Sequence, residues 1–317
     1  MMYKLEEMFH GTLWTEEKEG YLIPRRFTRE QMDAVSYEAF FYERTRCTAS
    51  VTLELITEAT ELSFAYKFFM RTGVRSSFEV YTNGVLTHLY YDDTLPDEGT
   101  LPLAFEGGKK VIEIYLPNYS EVGVKELLVG GAYRAVKRKR TKVLFFGDSI
   151  TQGGGSKRSA QTYVNVAKRA LDYEIVNFGI GGYLFENNLV KKIPFAPDKI
   201  IVALGTNQHG CTEEESRERI ASFFDALNER YGDIKKLVLL PVYCGNPGIE
   251  NRREKYKRLN KLITELAGQY PNVQIVNAYG MIPHFEDYYM EDFVHPNALG
   301  MELYGNNLAK TIRKIGF

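Results

Sequence analysis

Two hydrophobic patterns divide the chain. Up to about residue 130, apolar positions fall in short β-type runs: Val51–Ile56, Leu62–Phe68, Phe78–Tyr81, Leu86–Tyr91 and the alternating Lys110–Leu116. Asn83-Gly84, between the third and fourth runs, predicts a tight hairpin. Helical patterns are scarce there, so an antiparallel β-sandwich is expected. From Lys142 the pattern changes. Five apolar, β-rich segments recur at Val143–Phe146, Ile175–Asn177, Lys199–Leu204, Leu237–Pro241 and Val273–Val276. Helical periodicity separates them, clearest at Glu213–Arg230 and Arg252–Tyr270, and a last helix is expected over Leu299–Ile315. Strand and helix in alternation predict an α/β fold with a parallel sheet covered on both faces.

Between the two patterns, Arg134–Lys142 carries six basic residues in nine. With no interleaved aromatics this reads as a solvated linker rather than a nucleic-acid patch. The expected division is a β domain over 1–133, a linker over 134–141 and an α/β domain over 142–317, which suits a chain of 317 residues. A formal net charge of −1 provides no global field toward nucleic acid or an anionic membrane. Cys47, Cys211 and Cys244 are widely spaced and form no C-x-x-C pair, so no zinc finger is expected and a reducing compartment fits. Met1–Glu7 lacks an apolar signal core, and no run of about 18 apolar residues occurs. The cytoplasm is the expected location, with no membrane partner. The oligomeric state is not legible.

Ligands of open parallel sheets sit beyond the carboxyl ends of the strands. The residues there are Gly147-Asp148-Ser149-Ile150-Thr151 after the first strand, Gly179 to Gly182 after the second, and Gly205-Thr206-Asn207-Gln208-His209 after the third. Asp292-Phe293-Val294-His295 precedes the last helix. Together they supply an acyl-transfer set. Ser149 is the candidate nucleophile, His295 its base, and Asp292, three residues earlier, the group that orients the base. The backbone N–H groups of Ser149 and Gly182 and the Asn207 amide are candidate oxyanion donors. Asp148, Gln208 and His209 are further candidates for substrate contact, although a turn-bonding role suits Asp148 better. Gly153-Gly154-Gly155 lacks the G-x-x-x-x-G-K-[ST] spacing of a phosphate loop. Gly147 to Thr151 is not a G-x-S-x-G elbow, because position 151 is Thr. No H-E-x-x-H or similar ligand set occurs, so neither metal nor cofactor is expected.

Gly147-Asp148-Ser149-Ile150-Thr151, Gly182, Gly205-Thr206-Asn207 and Asp292-x-x-His295 resemble, in order and spacing, the four blocks of the SGNH (GDSL) esterase and lipase superfamily. The resemblance spans nearly all of 142–317. It implies a flavodoxin-like five-stranded sheet, no metal, a shallow active site, and the roles given above. Many members carry Asp after the third-block Asn, where this chain has Gln208, a departure that bears on positioning more than on chemistry. The β-rich first part is similar in layout to the jelly-roll domain of two-domain carbohydrate esterases of family two. That layout implies an O-acetylated saccharide as substrate. Two other readings are a lysophospholipase, thioesterase or short-chain lipase of the same superfamily, and a carbohydrate-binding protein on an inactive scaffold.

Overall fold

The structure, a computed structural model, describes residues 4–137, 140–241 and 250–317. Arg138, Lys139 and Cys244 of the sequence reading lie outside the described residues, as does the side chain of His209.

Period-two patterning in the first part closes two antiparallel sheets face to face. In one, the strands run in the order Phe9–His10, Thr52–Thr57, Lys110–Tyr115, Ser77–Thr82 and Val85–Tyr91, with Tyr133–Ala135 also paired to Thr52–Thr57. In the other the order is Trp14–Lys18, Tyr21–Arg25, Ser120–Val129, Glu61–Arg71 and Glu98–Ala104. Leu53, Leu55 and Ile114 of the first sheet meet Phe64, Leu101 and Val122 of the second in one core. Asn83 and Gly84 form the expected hairpin, with φ of +50° and +81°, the geometry of a two-residue loop matched to strand twist. Two short helices, Arg29–Ala34 and Ala39–Arg46, interrupt this part.

In the second part, strands Thr141–Gly147, Tyr173–Gly179, Lys199–Ala203, Lys235–Leu240 and Val273–Asn277 are all parallel and pair in the order second, first, third, fourth, fifth. Along the first strand, Val143 and Phe145 pack with helices Tyr163–Leu171 and Ala298–Ile315, while Leu144 and Phe146 pack with Glu213–Tyr231 and Glu250–Ala267. The chain therefore leaves the first and third strands toward opposite faces. In a sheet of this order a crevice opens between their carboxyl ends.

The polar positions of the first antiparallel sheet do not face water. Thr52, Glu54, Ser77 and Glu79 are each 0% exposed, because that face packs against the α/β part. Arg140, expected as solvated linker, is buried among carboxylates contributed by both parts. Its nitrogens lie 2.7 Å from Glu54, 3.2 Å from Glu174 and 3.1 Å from Asp172. Lys168 shares Glu54 at 3.0 Å, and His10 bonds Glu174 at 2.8 Å. A second seam joins Glu79 to Arg158 (2.9 Å) and to the Ala160 N–H (2.8 Å). Cys47 is buried, and that burial pushes its thiol up to about 11.

Candidate active site

The first parallel strand ends at Gly147. Asp148 then caps a four-residue helix, Ser149–Gln152, by accepting the Ile150 N–H at 3.0 Å. Ser149 thus sits at a helix start, where its own N–H has no helical acceptor. Asp148 is 1% exposed. Burial pushes its carboxyl up, against hydrogen bonds from Ile150 and Thr206. It serves the turn, as the sequence favoured, and is buried in this structure.

A small antiparallel turn presents the other two residues. Tyr289 and Pro296 bridge across it, and the Met290 N–H donates to the His295 carbonyl at 2.8 Å. Asn297 caps the last helix, its Oδ1 accepting the N–H groups of Leu299 (3.0 Å) and Gly300 (3.1 Å). Phe293, at the tip, has a φ of +52°, which is uncommon for an aromatic residue. That bend brings Asp292 back onto His295. Asp292 Oδ1 accepts the N–H groups of Val294 (2.8 Å) and His295 (3.0 Å), and its Oδ2 lies 2.6 Å from His295 Nδ1. Partial burial pushes the Asp292 carboxyl up, but the bonds from the His295 backbone and ring and from Val294 outweigh it and hold it below its ordinary value. His295 Nε2 lies 2.7 Å from Ser149 Oγ. One hydrogen-bonded chain therefore runs from Ser149 through His295 to Asp292.

Gly182 follows the second strand with a φ of +77°, and a Cβ there would lie 3.4 Å from the rings of both Phe40 and Phe41. Gly182 is exposed, just beyond the carboxyl end of that strand. Asn207 donates from Nδ2 to the Tyr183 carbonyl at 3.0 Å, which leaves its second amide hydrogen for another acceptor. Gln208 is 2% exposed and accepts the Phe185 N–H at 3.2 Å through Oε1. It fastens the segment after Gly182 from behind and, like Asp148, is buried. At Gly154 a Cβ would lie 2.9 Å from both His295 Cδ2 and Tyr119 Oη. The glycine run is thus a packing surface under the imidazole.

The residues that sequence reasoning missed come from the first part. Tyr119 donates to the Ser149 carbonyl at 3.3 Å, and Phe40 and Phe41 stand against the Gly182 loop. No motif marks them. The helix that bears the two Phe residues has eight residues, too few for periodicity to stand out. A cavity of about 580 Å³ lies at the other end of the parallel sheet, walled by Glu113, Lys168 and Arg169. Among the described residues no group of three or more His, Cys, Asp or Glu side chains is placed to hold a metal ion, and no helix is long and apolar enough to cross a membrane.

Residues 145–303 match the model of the GDSL-like lipase/acylhydrolase family. The chain is 30% identical over 173 residues to platelet-activating factor acetylhydrolase IB subunit alpha2 of Homo sapiens, covering 50% of this chain and 70% of that protein. In structure it is similar to the salicylyl-acyltransferase SsfX3 of a tetracycline biosynthetic pathway, with TM-score 0.76, 20% identity, and coverage of 97% of this chain and 94% of that one. It is also similar to an acetyl xylan esterase from Butyrivibrio proteoclasticus, with TM-score 0.64, 16% identity, and coverage of 98% and 97%. Both structural likenesses extend over the β part as well as the α/β part.

Proposed function

The chain belongs to the GDSL-like lipase/acylhydrolase family and is a carboxylic ester hydrolase, and from that premise we propose that Ser149, His295 and Asp292 cleave acetyl esters through an acyl-enzyme. The observation that carries the reading is the unbroken contact chain of 2.7 Å and 2.6 Å through His295. With its Nδ1 proton directed at Asp292, the imidazole offers Nε2 to the Ser149 hydroxyl. Ser149 Oγ attacks the ester carbonyl carbon, and its proton passes to Nε2. The carbonyl oxygen becomes an oxyanion, met by the Ser149 and Gly182 N–H groups and the free hydrogen of Asn207. The carbon–oxygen bond to the alcohol then breaks, and Nε2 returns the proton to the departing oxygen. Water repeats the sequence on the acyl-enzyme, releasing acetate and restoring Ser149.

The acetyl group is common to the acetylhydrolase and the acetyl xylan esterase named above. The saccharide as alcohol rests on the two-part layout shared with the latter. A phospholipid alcohol is the second reading, supported by the identity to the former. The deciding experiment sets acetylated saccharides against nitrophenyl esters of increasing chain length. Acetyl release from saccharides with a steep fall beyond short acyl chains is expected. Preference for long acyl chains would overturn the reading. Turnover is also expected to survive exhaustive chelation, since serine, imidazole and amide donors complete the chemistry; a loss that zinc or calcium restores would refute it.

A further inference from the structure

Seven lysine and arginine residues are buried among the described residues. Six have acceptors. Arg25 pairs with Glu16 and Glu121, Arg26 donates to the carbonyls of Cys47 and Arg44, Arg140 and Lys168 share Glu54, and Lys110 and Lys236 donate to the carbonyls of Ala59 and Tyr231. The seventh is Arg44, 7% exposed, whose Nε and Nη1 have no hydrogen-bond partner. The polar group beside it is the Cys47 thiol, a weak acceptor. A buried charge without a counter-charge is costly, so its retention calls for an explanation.

Its position supplies one. Arg44 and Phe40 are four residues apart on the same helix, hence on one face. The guanidinium carbon lies 4.5 Å from the centre of the Phe40 ring and 5.3 Å from that of Tyr119. Tyr119 touches the Ser149 carbonyl, and Phe40 borders Gly182. Arg44 is therefore held between the two rings that edge the nucleophile and the oxyanion loop, one ring away from each. Phe40, the residue that covers it, is 42% exposed, so an anion reaching the guanidinium would have to displace that ring.

The geometry points to Arg44 as a specificity residue that takes an anionic group, a carboxylate, sulfate or phosphate, on the alcohol part of the ester. This rests on the hydrolase reading above and narrows its substrate to acidic alcohols, such as an acetylated acidic saccharide. A guanidinium suits the task because its fork matches planar and tetrahedral oxyanions.

The test compares 4-acetoxybenzoate with its neutral match, 4-acetoxybenzamide. A hydrogen bond to a charged group contributes about 1.5–3 kcal/mol, so kcat/KM for the benzoate is expected to exceed that for the amide by roughly tenfold or more, mostly through KM. Arg44→Gln is expected to erase the preference while amide turnover stays within about threefold, and Arg44→Lys to keep part of it. Equal turnover of the two esters by the wild-type protein overturns the proposal. So does an Arg44→Gln protein that loses both activities alike, the signature of a residue that merely props Phe40. If the variant does not fold, inhibition of the wild-type protein by benzoate and not by benzamide supports the proposal, and equal inhibition refutes it. If neither ester is cleaved, the hydrolase reading fails, and calorimetry with benzoate against benzamide still decides on Arg44.

Discussion

At the scale of single residues, the candidate site separates groups that react from groups that hold them. Ser149→Ala removes the atom that would bond to the acyl carbon. His295→Ala removes the base 2.7 Å from it. Because such residues act as a unit, each substitution is expected to cost about as much as both together. Asn207→Ala leaves two backbone donors at the oxyanion and is expected to lower turnover by roughly 10²–10³. Asp292→Ala is expected to be the mildest of the triad changes, since that carboxylate takes no proton and stands on a half-exposed turn. Turnover of one acetyl ester by each folded variant checks the order, and a fully active Ser149→Ala protein would end the serine mechanism. Gln208→Ala belongs to a different class. It removes the acceptor of the Phe185 N–H and leaves that donor buried, so a stability loss of about 1–3 kcal/mol is expected, with a smaller fall in activity. Thermal melts beside kinetics distinguish the two classes.

At the scale of elements, what was legible followed from contacts close in sequence. The five parallel strands and three of the helices around them are long or strongly apolar, and each stands near its expected place. The four blocks follow strand ends or precede the last helix, which are positions that sequence order alone defines. The helix Tyr163–Leu171 and the strand Ser120–Val129 were not anticipated. The helix has nine residues, and the strand is broken by register shifts near Glu121 and Lys125, which interrupt its period. The turn that presents His295 was legible as a motif but not as a mechanism. Its shape depends on Asn297 capping the last helix, while the Asn297 amide also donates to the Asp287 carbonyl at 2.7 Å. Asn297→Ala is therefore expected to cost about 1 kcal/mol of stability, as lost helix caps typically do. It should also lower kcat with little change in KM, because the imidazole loses its fixed approach to Ser149. An unchanged kcat in a destabilised protein would show that the bridge between Tyr289 and Pro296 suffices to hold the turn.

At the scale of the whole molecule, the sequence concealed how the two parts join. Glu54 and Glu79 occupy positions that alternation marks as solvent-facing, yet both are 0% exposed. Their partners, Arg140, Lys168 and Arg158, are far along the chain, and nothing local announces the pairing. The same concealment made Arg140 look like linker. Burial alone would push the Glu54 carboxyl up, but Lys168, His10 and Arg140 overcome this and hold it far below its ordinary value. Glu174 is likewise held down, burial again being outweighed by His10 and Lys168. Glu113 in the same cluster is pushed up, by burial and by Glu54, and offsets part of the effect. The sign follows from linkage. A depressed carboxylate binds its proton more readily in the unfolded chain, so its contribution is full above the unfolded value, about 4.3 for Glu, and is lost as pH falls below it. Two depressed groups against one raised predict that the joint between the parts weakens in acid below that value. Both parts should melt in one transition at neutral pH, since each would leave buried charges unpaired without the other. In Glu54→Gln, with Arg140 and Lys168 stripped of their shared carboxylate, the melting temperature at pH 7 should fall well below that of the wild-type protein, and the difference should shrink as pH drops toward 3. Scanning calorimetry of both proteins between pH 3 and 7 measures this, and a difference independent of pH would mean that packing, not charge, joins the two parts.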